Sequence, residues 1–444
     1  MSVTETGALD DAPEGLNASA LTPGQRLKAI LGGSAGNLVE WFDWSAYLSF
    51  TLYFASQFFP EGDQTAQLLK AAAVSAVGFL ARPVGAWLMG TYADRAGRRA
   101  ALTLSVAMMC LGSLVIALTP TYAQIGAAAP AILLAARVLQ GLSVGGEYGA
   151  SATYLSEMAT RHYRGFWSSF QYVTLIAGQL LALALLLVMQ QFLSEAELTA
   201  WGWRVPFFVG AGLAVIVFWL RRGIEETRHF EAAKASGEKL GSPLTLILRH
   251  PRQTLMVMGL TAGGSLAYYV YTSYMQKFLV NTSGFSKTTA SQIAAAALLC
   301  FMLLQPLFGW MSDKFGRKPM LAFAYAGGAI ATWALMTAIG EVKDAILAFG
   351  LLMIALVFQS GYSSIAGVFK AEMFPAHVRA LGVALPYAIA NAVFGGSAEY
   401  VALWFKQEGI ESGFYFYTSA VLAVGLLVVL ILPDPARHSL IEQD

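Results

Sequence analysis

Apolar residues in this chain neither alternate nor recur as narrow stripes; they run on. Uncharged stretches cover positions 100–136, 165–194, 253–276, 288–312, 319–340, 345–369, 380–398 and 412–433. A helix crossing a bilayer needs about 20 mostly apolar residues. Allowing a few buried charges, the pattern predicts twelve spans, starting near 28, 68, 100, 128, 165, 202, 252, 288, 318, 345, 378 and 412. Strands of a membrane barrel are about 10 residues of strict alternation, which these runs are not. The expectation is an all-α membrane protein.

Composition supports this by exclusion. Of 444 residues, 57% are hydrophobic and 12% charged, where a soluble domain carries about 25% charged residues. A net charge of +1 argues against a nucleic-acid partner. Cys110 and Cys300 lie in apolar runs and the five histidines are scattered, so neither a disulfide framework nor a metal site is expected. No cofactor is implied. No Walker-type GxxxxGK[ST] occurs, and no cluster of catalytic side chains at depth argues for an enzyme.

The basic residues orient the chain. Of 28 Lys and Arg, 19 fall in the N-terminal stretch, the loops after even-numbered spans and the C-terminus, against four (Lys70, Lys287, Lys343, Lys406) on the other side. By the positive-inside rule both termini are expected in the cytoplasm. Residues 1–25 read as a disordered cytoplasmic tail with no basic signal-peptide region. The expected order is then a six-helix unit over 26–221, a charged cytoplasmic linker over 222–251, a second six-helix unit over 252–433 and a short tail over 434–444.

The two units repeat. Gly90, Asp94, Gly97 and Arg98 follow span 2 as GxxxDxxGR, and Gly309, Asp313, Gly316 and Arg317 follow span 8, 219 residues later. Glu157 precedes Arg164 by seven residues, as Glu372 precedes Arg379, with an offset of 215. A duplicated unit places a cavity between the halves near the bilayer midplane.

These residues carry a resemblance. The doubled loop motif, the six-plus-six arrangement and the basic central loop resemble the major facilitator superfamily. GNLVEWFDW (36–44), GFLARPVGAWLMG (78–90), RVLQGLSVGGEYGASATYLSEM (137–158), SFQYVTLIAGQLLAL (169–183), WGWRVPF (201–207) and RRGIEETRHF (221–230) resemble its metabolite:proton symporters. The resemblance implies two six-helix repeats in the major facilitator fold, in a bacterial inner membrane. It implies a monomer that imports a small dicarboxylate with protons, α-ketoglutarate foremost. Citrate, a shikimate-type acid, betaine and proline are the alternatives. The expected partners are the organic anion, protons and lipid. The proline-rich antiporter signature of span 5 is missing, since 165–192 contains no proline.

Ionisable groups inside spans are costly and are functional candidates. Glu40 and Asp43 lie three apart in span 1, on one helical face, and are candidate proton carriers answering to Arg137 and Glu147 of span 4. Arg137 opens a sequence with Gly141, Gly145 and Gly149 at four-residue intervals, a ladder suited to close packing. Arg82, twelve residues from Asp94, falls near mid-membrane and suits a carboxylate; pairing with Glu399 is the structural alternative. Tyr268, Tyr271, Tyr274 and Lys277 are read as one polar stripe on span 7, and with Arg137 and Gln171 they complete the candidate substrate site. Asp94, Arg98, Asp313 and Arg317 are the candidate gate. Gln179, Gln359, Tyr362 and Asn391 are further polar candidates, while Arg204, between Trp201, Trp203 and Pro206, reads as an interfacial anchor.

Overall fold

The computed structural model describes residues 23–96, 98–144, the positions 148, 152, 153, 155, 156 and 159, and then 161–222, 249–375, 378–435 and 439–441. All regular structure among them is helical. This is the outcome lipid dictates, because a helix satisfies every backbone donor and acceptor within one segment.

Twelve long segments appear where the apolar pattern put them. They are α1 (Pro23–Phe58), α2 (Gln64–Ala96), α3 (Arg98–Leu118), α4 (Ala128–Val144), α5 (Arg164–Phe192) and α6 (Val205–Arg222). In the second half, α7 runs as Pro251–Tyr269, a π-helical stretch Val270–Tyr274, and Met275–Asn281. Then come α8 (Lys287–Phe315), α9 (Arg317–Glu341), α10 (Ala345–Glu372), α11 (Arg379–Gln407) and α12 (Glu411–Ile431). Seven of these are long and apolar enough to cross a bilayer, and three more are apolar over 10–17 residues. The two that fall short, α1 and α7, carry the polar groups described below. Large apolar side chains such as Leu118, Phe192, Ile330, Ile346 and Leu430 face outward, an exposure that only lipid makes favourable. The chain is an integral membrane protein.

Helix ends follow local chemistry. The Ser286 hydroxyl accepts from Thr289 N at 3.1 Å to open α8, and the Asp344 carboxylate accepts from Leu347 N at 2.8 Å to open α10. The tight α8–α9 corner turns on Gly316 at φ 94°, which explains the second glycine of the repeated loop motif.

Within the first half α1 packs on α5, α2 on α4 and α3 on α6. Gly141 lies so close to the Gly78 carbonyl that a side chain there would collide, so this rung of the glycine ladder is helix packing. In the second half α9 packs on α10 and α12, and α7 on α11 and α12. The halves meet through α5 with α8, α2 with α11, and α1 with the π stretch of α7. Between them Ser45, Gln179, Thr272, Ser273 and Gln276 border a small cavity. The expected linker falls almost wholly on 223–248, and the expected N-terminal tail on 1–22, both outside the described residues.

Candidate functional site

The site begins with Asp43, which α1 buries inside the first half. Its carboxylate accepts hydrogen bonds from Ser113 of α3 and from Gln140 of α4. Gln140 in turn accepts from Arg137 Nη1 at 2.8 Å. Asp43 and Arg137 therefore communicate through Gln140 rather than as the direct pair that their charges suggest. Gly210 of α6 leaves the room: a Cβ there would lie 2.7 Å from Asp43 Oδ1. Glu40 is buried as well and engaged with a partner. Gln140 stands three residues after Arg137, on the same face of α4, so helical spacing could have disclosed it. Ser113 sits in a charge-free apolar run with no sequence signal to mark it.

Arg137 stacks on Trp44, its guanidinium carbon 3.6 Å from the ring centroid. Arg82 stacks on the same Trp44 at 4.2 Å and on Phe79 at 4.1 Å. One indole thus touches both cations, an arrangement worth about 0.5–2 kcal/mol per contact. Arg82 Nε and Nη2 are buried and make no hydrogen bond among the described residues. The rings around Arg82 reach across to the second half: Phe79 meets Tyr269 of α7 edge-on at 5.4 Å, and Trp41 meets it at 6.3 Å. Arg82 therefore sits at the seam between the halves. It is not paired with Glu399.

Glu399 belongs to Lys277, whose Nζ donates to Oε2 at 2.8 Å. Lys277 has no exposure, and this pair removes it from the expected anion ligands. The expected stripe on α7 is divided: at about 100° per residue, positions three apart drift around the helix and Lys277 falls opposite Tyr268, and the π stretch Val270–Tyr274 alters the rotation further. Tyr268 faces the first half and donates to Gln179 Oε1 at 2.7 Å. Tyr271 lies 2.7 Å from the Thr332 hydroxyl of α9, and Tyr274 packs edge-on against Phe414 of α12. Only Tyr268 stands at the seam. Gln171 is buried and engaged with a partner. Gln359 donates to the Gly264 carbonyl at 3.0 Å within the second half. Arg204 donates to the carbonyls of Ala117 and Thr119, each at 2.7 Å, and stacks on Trp203; it anchors the end of α3. Glu147 lies outside the described residues.

The face that carries the start of α1 and the end of α12 is bridged by buried charge. Arg317 Nη1 donates to Asp313 Oδ1 at 2.8 Å, and Arg317 Nη2 lies 3.3 Å from Glu372 Oε1. Asp313 also crosses between halves, accepting from Gly165 N at 2.7 Å and Phe166 N at 2.9 Å. A carboxylate from α8 thereby caps the first turn of α5, where the helix dipole favours negative charge. Gly165 is required here, since a Cβ would lie 2.6 Å from the Gly309 carbonyl. The side chains of Asp94 and Arg98 lie outside the described residues.

The opposite face is closed more lightly. Lys287 pairs with Glu195 at 2.7 Å and donates to the Leu52 carbonyl at 3.1 Å, while Asn281 donates to Thr65 at 3.1 Å. Contacts between the halves are thus present on both faces.

Comparison with known proteins gives the following. The family described as "Sugar (and other) transporter" matches over residues 30–241 and 231–444. The chain is 53% identical, over 92% of its length and 94% of the relative, to the alpha-ketoglutarate permease of Escherichia coli K12. It is 30% identical to the citrate-proton symporter of Klebsiella pneumoniae, covering 93% of each chain. It is likewise 30% identical to a proline/betaine transporter of Salmonella typhimurium, over 94% of this chain and 85% of that one. Among solved structures, the proton:xylose symporter XylE superposes with a TM-score of 0.74 at 19% identity, covering 94% of this chain and 98% of that one. Its partially occluded inward-open form, from E. coli, gives 0.72 at 20% identity over 92% and 98%.

Proposed function

The chain belongs to the sugar (and other) transporter family of the major facilitator superfamily, and on that premise we propose that it imports α-ketoglutarate with protons across a bacterial inner membrane. Its termini then lie in the cytoplasm, on the side rich in Lys and Arg. The two six-helix halves, 26–221 and 252–433, rock about the seam to expose the site to one side at a time.

The observation that carries the coupling is the Trp44 ring shared by Arg82 and Arg137. Arg82 is the substrate ligand: its unsatisfied Nε and Nη2 offer the planar fork that a carboxylate fills. Asp43 is the proton carrier, with Glu40 beside it. While ionised, Asp43 holds Ser113 and Gln140, and Gln140 holds Arg137 on Trp44. Protonation weakens these charge-assisted bonds, frees Arg137 to move on the indole and shifts the surface on which Arg82 rests. Proton and carboxylate are then read by one aromatic ring. The substrate assignment is supported by the 53% identity to a permease named for α-ketoglutarate.

The test is uptake into membrane vesicles under an imposed proton gradient. Asp43→Asn is expected to abolish accumulation of radiolabelled α-ketoglutarate while leaving downhill exchange within about threefold of wild type. Normal accumulation by Asp43→Asn would falsify the coupling. Preferential uptake of betaine or citrate by the wild type would replace the substrate.

A further inference from the structure

Lys370 is another costly group in the interior. It lies on α10 with no exposure. Unlike Lys277 and Arg317, it has no carboxylate partner among the described residues. Its Nζ donates to the Tyr148 hydroxyl at 3.3 Å. The rest of its surroundings is aromatic: Tyr387 at 4.4 Å, Tyr148 at 5.2 Å, Phe369 at 5.5 Å and Tyr362 at 5.7 Å from ring centroid to Nζ. Aromatic faces offset only part of the cost of an ammonium removed from water. A group kept at that cost needs an anion that comes and goes.

The place fits such an anion. Tyr148 of the first half and Tyr387 of α11 stack face to face at 3.6 Å, so Lys370 sits on the seam. Tyr269 lies on α7, which packs against α11, the helix that carries Tyr387. Tyr269 is the ring on which Phe79 and Trp41, the platform of Arg82, abut. Arg82 from the first half and Lys370 from the second therefore both border the seam, each set among aromatic rings that cross it. A monocarboxylate needs one of these cations; a dicarboxylate occupies both.

Building on the proposed function, we infer that Lys370 is the ligand of the substrate's second carboxylate and the residue that selects dicarboxylates over monocarboxylates. Substrate held in this way bridges the halves, with Arg82 on one end and Lys370 on the other, and favours the closed arrangement. Opening toward the cytoplasm separates the Tyr148–Tyr387 stack and takes Lys370 from the first half, which weakens the grip at release.

The experiment compares α-ketoglutarate with 2-oxopentanoate, which has the same chain length and lacks the distal carboxylate. Both are measured by half-saturation of counterflow in proteoliposomes. Lys370→Gln is expected to weaken α-ketoglutarate at least tenfold, about 1.4 kcal/mol, and to leave 2-oxopentanoate within twofold, so that selectivity collapses. Tyr148→Phe keeps the ring and loses only the hydroxyl that holds the ammonium; a roughly threefold fall in the same ratio is expected, which tests the idea even where Lys370→Gln does not reach the membrane. An unchanged ratio in either variant overturns the assignment. Equal loss of both acids does so too, as does recovery of Lys370→Gln by an added Glu147→Gln, which would make Lys370 half of a structural pair. Wild-type protein that transports neither acid overturns the proposed function and this inference with it. Wild-type transport with an indifferent Lys370→Gln overturns the inference alone.

Discussion

Single side chains in this protein act through what they touch, and the distance between a charge and its partner decides its role. Lys277 and Lys370 are both lysines at zero exposure. One has Glu399 at 2.8 Å and is a structural strut; the other has tyrosines. The same logic singles out Gln140, an uncharged residue between Asp43 and Arg137. Replacing it by leucine leaves Asp43 short of a buried hydrogen bond, a loss of about 1–3 kcal/mol. Gln140→Leu is expected to reduce proton-driven accumulation at least tenfold while counterflow persists. Equal loss of both, at normal protein level, would instead mark Gln140 as a packing residue. Asp43, Glu40, Arg137 and Arg82 were legible as candidates because an ionisable group in an apolar run is conspicuous. Of their connections only Gln140 is hinted at, by its spacing from Arg137, because Ser113 and Trp44 carry no charge to mark them.

At the scale of elements, two helices depart from regular geometry at the seam: π stretches interrupt α7 at Val270–Tyr274 and α11 at Asn391–Gly395. At about 3.6 residues per turn, positions three apart drift by about 60° each, so Tyr268 and Lys277 fall on opposite faces even in a regular helix, and the π stretch alters the rotation further. The C-terminal segment is the other element whose placement matters. Leu440 N donates to the Glu372 carbonyl at 2.9 Å, and Arg379 Nη2 donates to the Leu440 carbonyl at 2.7 Å. Ile441 is buried against Ala152 of the first half and Ala371 and Val383 of the second. The segment thus straddles both halves on the face closed by Asp313. Burying one isoleucine contributes about 1.5–3 kcal/mol. Ending the chain after Pro435 is expected to raise thiol labelling of Ser168→Cys several-fold, in a background lacking Cys110 and Cys300. No rise in labelling would show that the segment rests on the gate without holding it.

For the whole molecule, the two gates are unequal. Arg317, Asp313 and Glu372 have side chains no more than 4% exposed, whereas Lys287 and Glu195 are 19% and 67% exposed. Breaking a buried charge pair costs about 3–5 kcal/mol, and an exposed pair contributes about 0–1 kcal/mol. Among the described residues, the charge pairs on the face of the termini are therefore the costlier to break. Glu195→Gln is expected to leave transport within about twofold of wild type. Asp313→Asn is expected to shift thiol accessibility toward the terminal face and slow net uptake at least tenfold. Comparable effects of the two substitutions would remove the asymmetry.

Hydrophobic runs disclosed the all-α class and the approximate places of the spans, because lipid leaves a chain few ways to satisfy its backbone. The doubled GxxxDxxGR motif disclosed the repeat, and the second glycine of its second copy is explained by one backbone angle at Gly316. Which charges are paired was left to the tertiary structure. Pairing depends on contacts between helices far apart in the chain, as between Lys277 and Glu399, 122 residues apart. A sequence shows that a charge is buried; only the packed helices show whether anything is there to neutralise it.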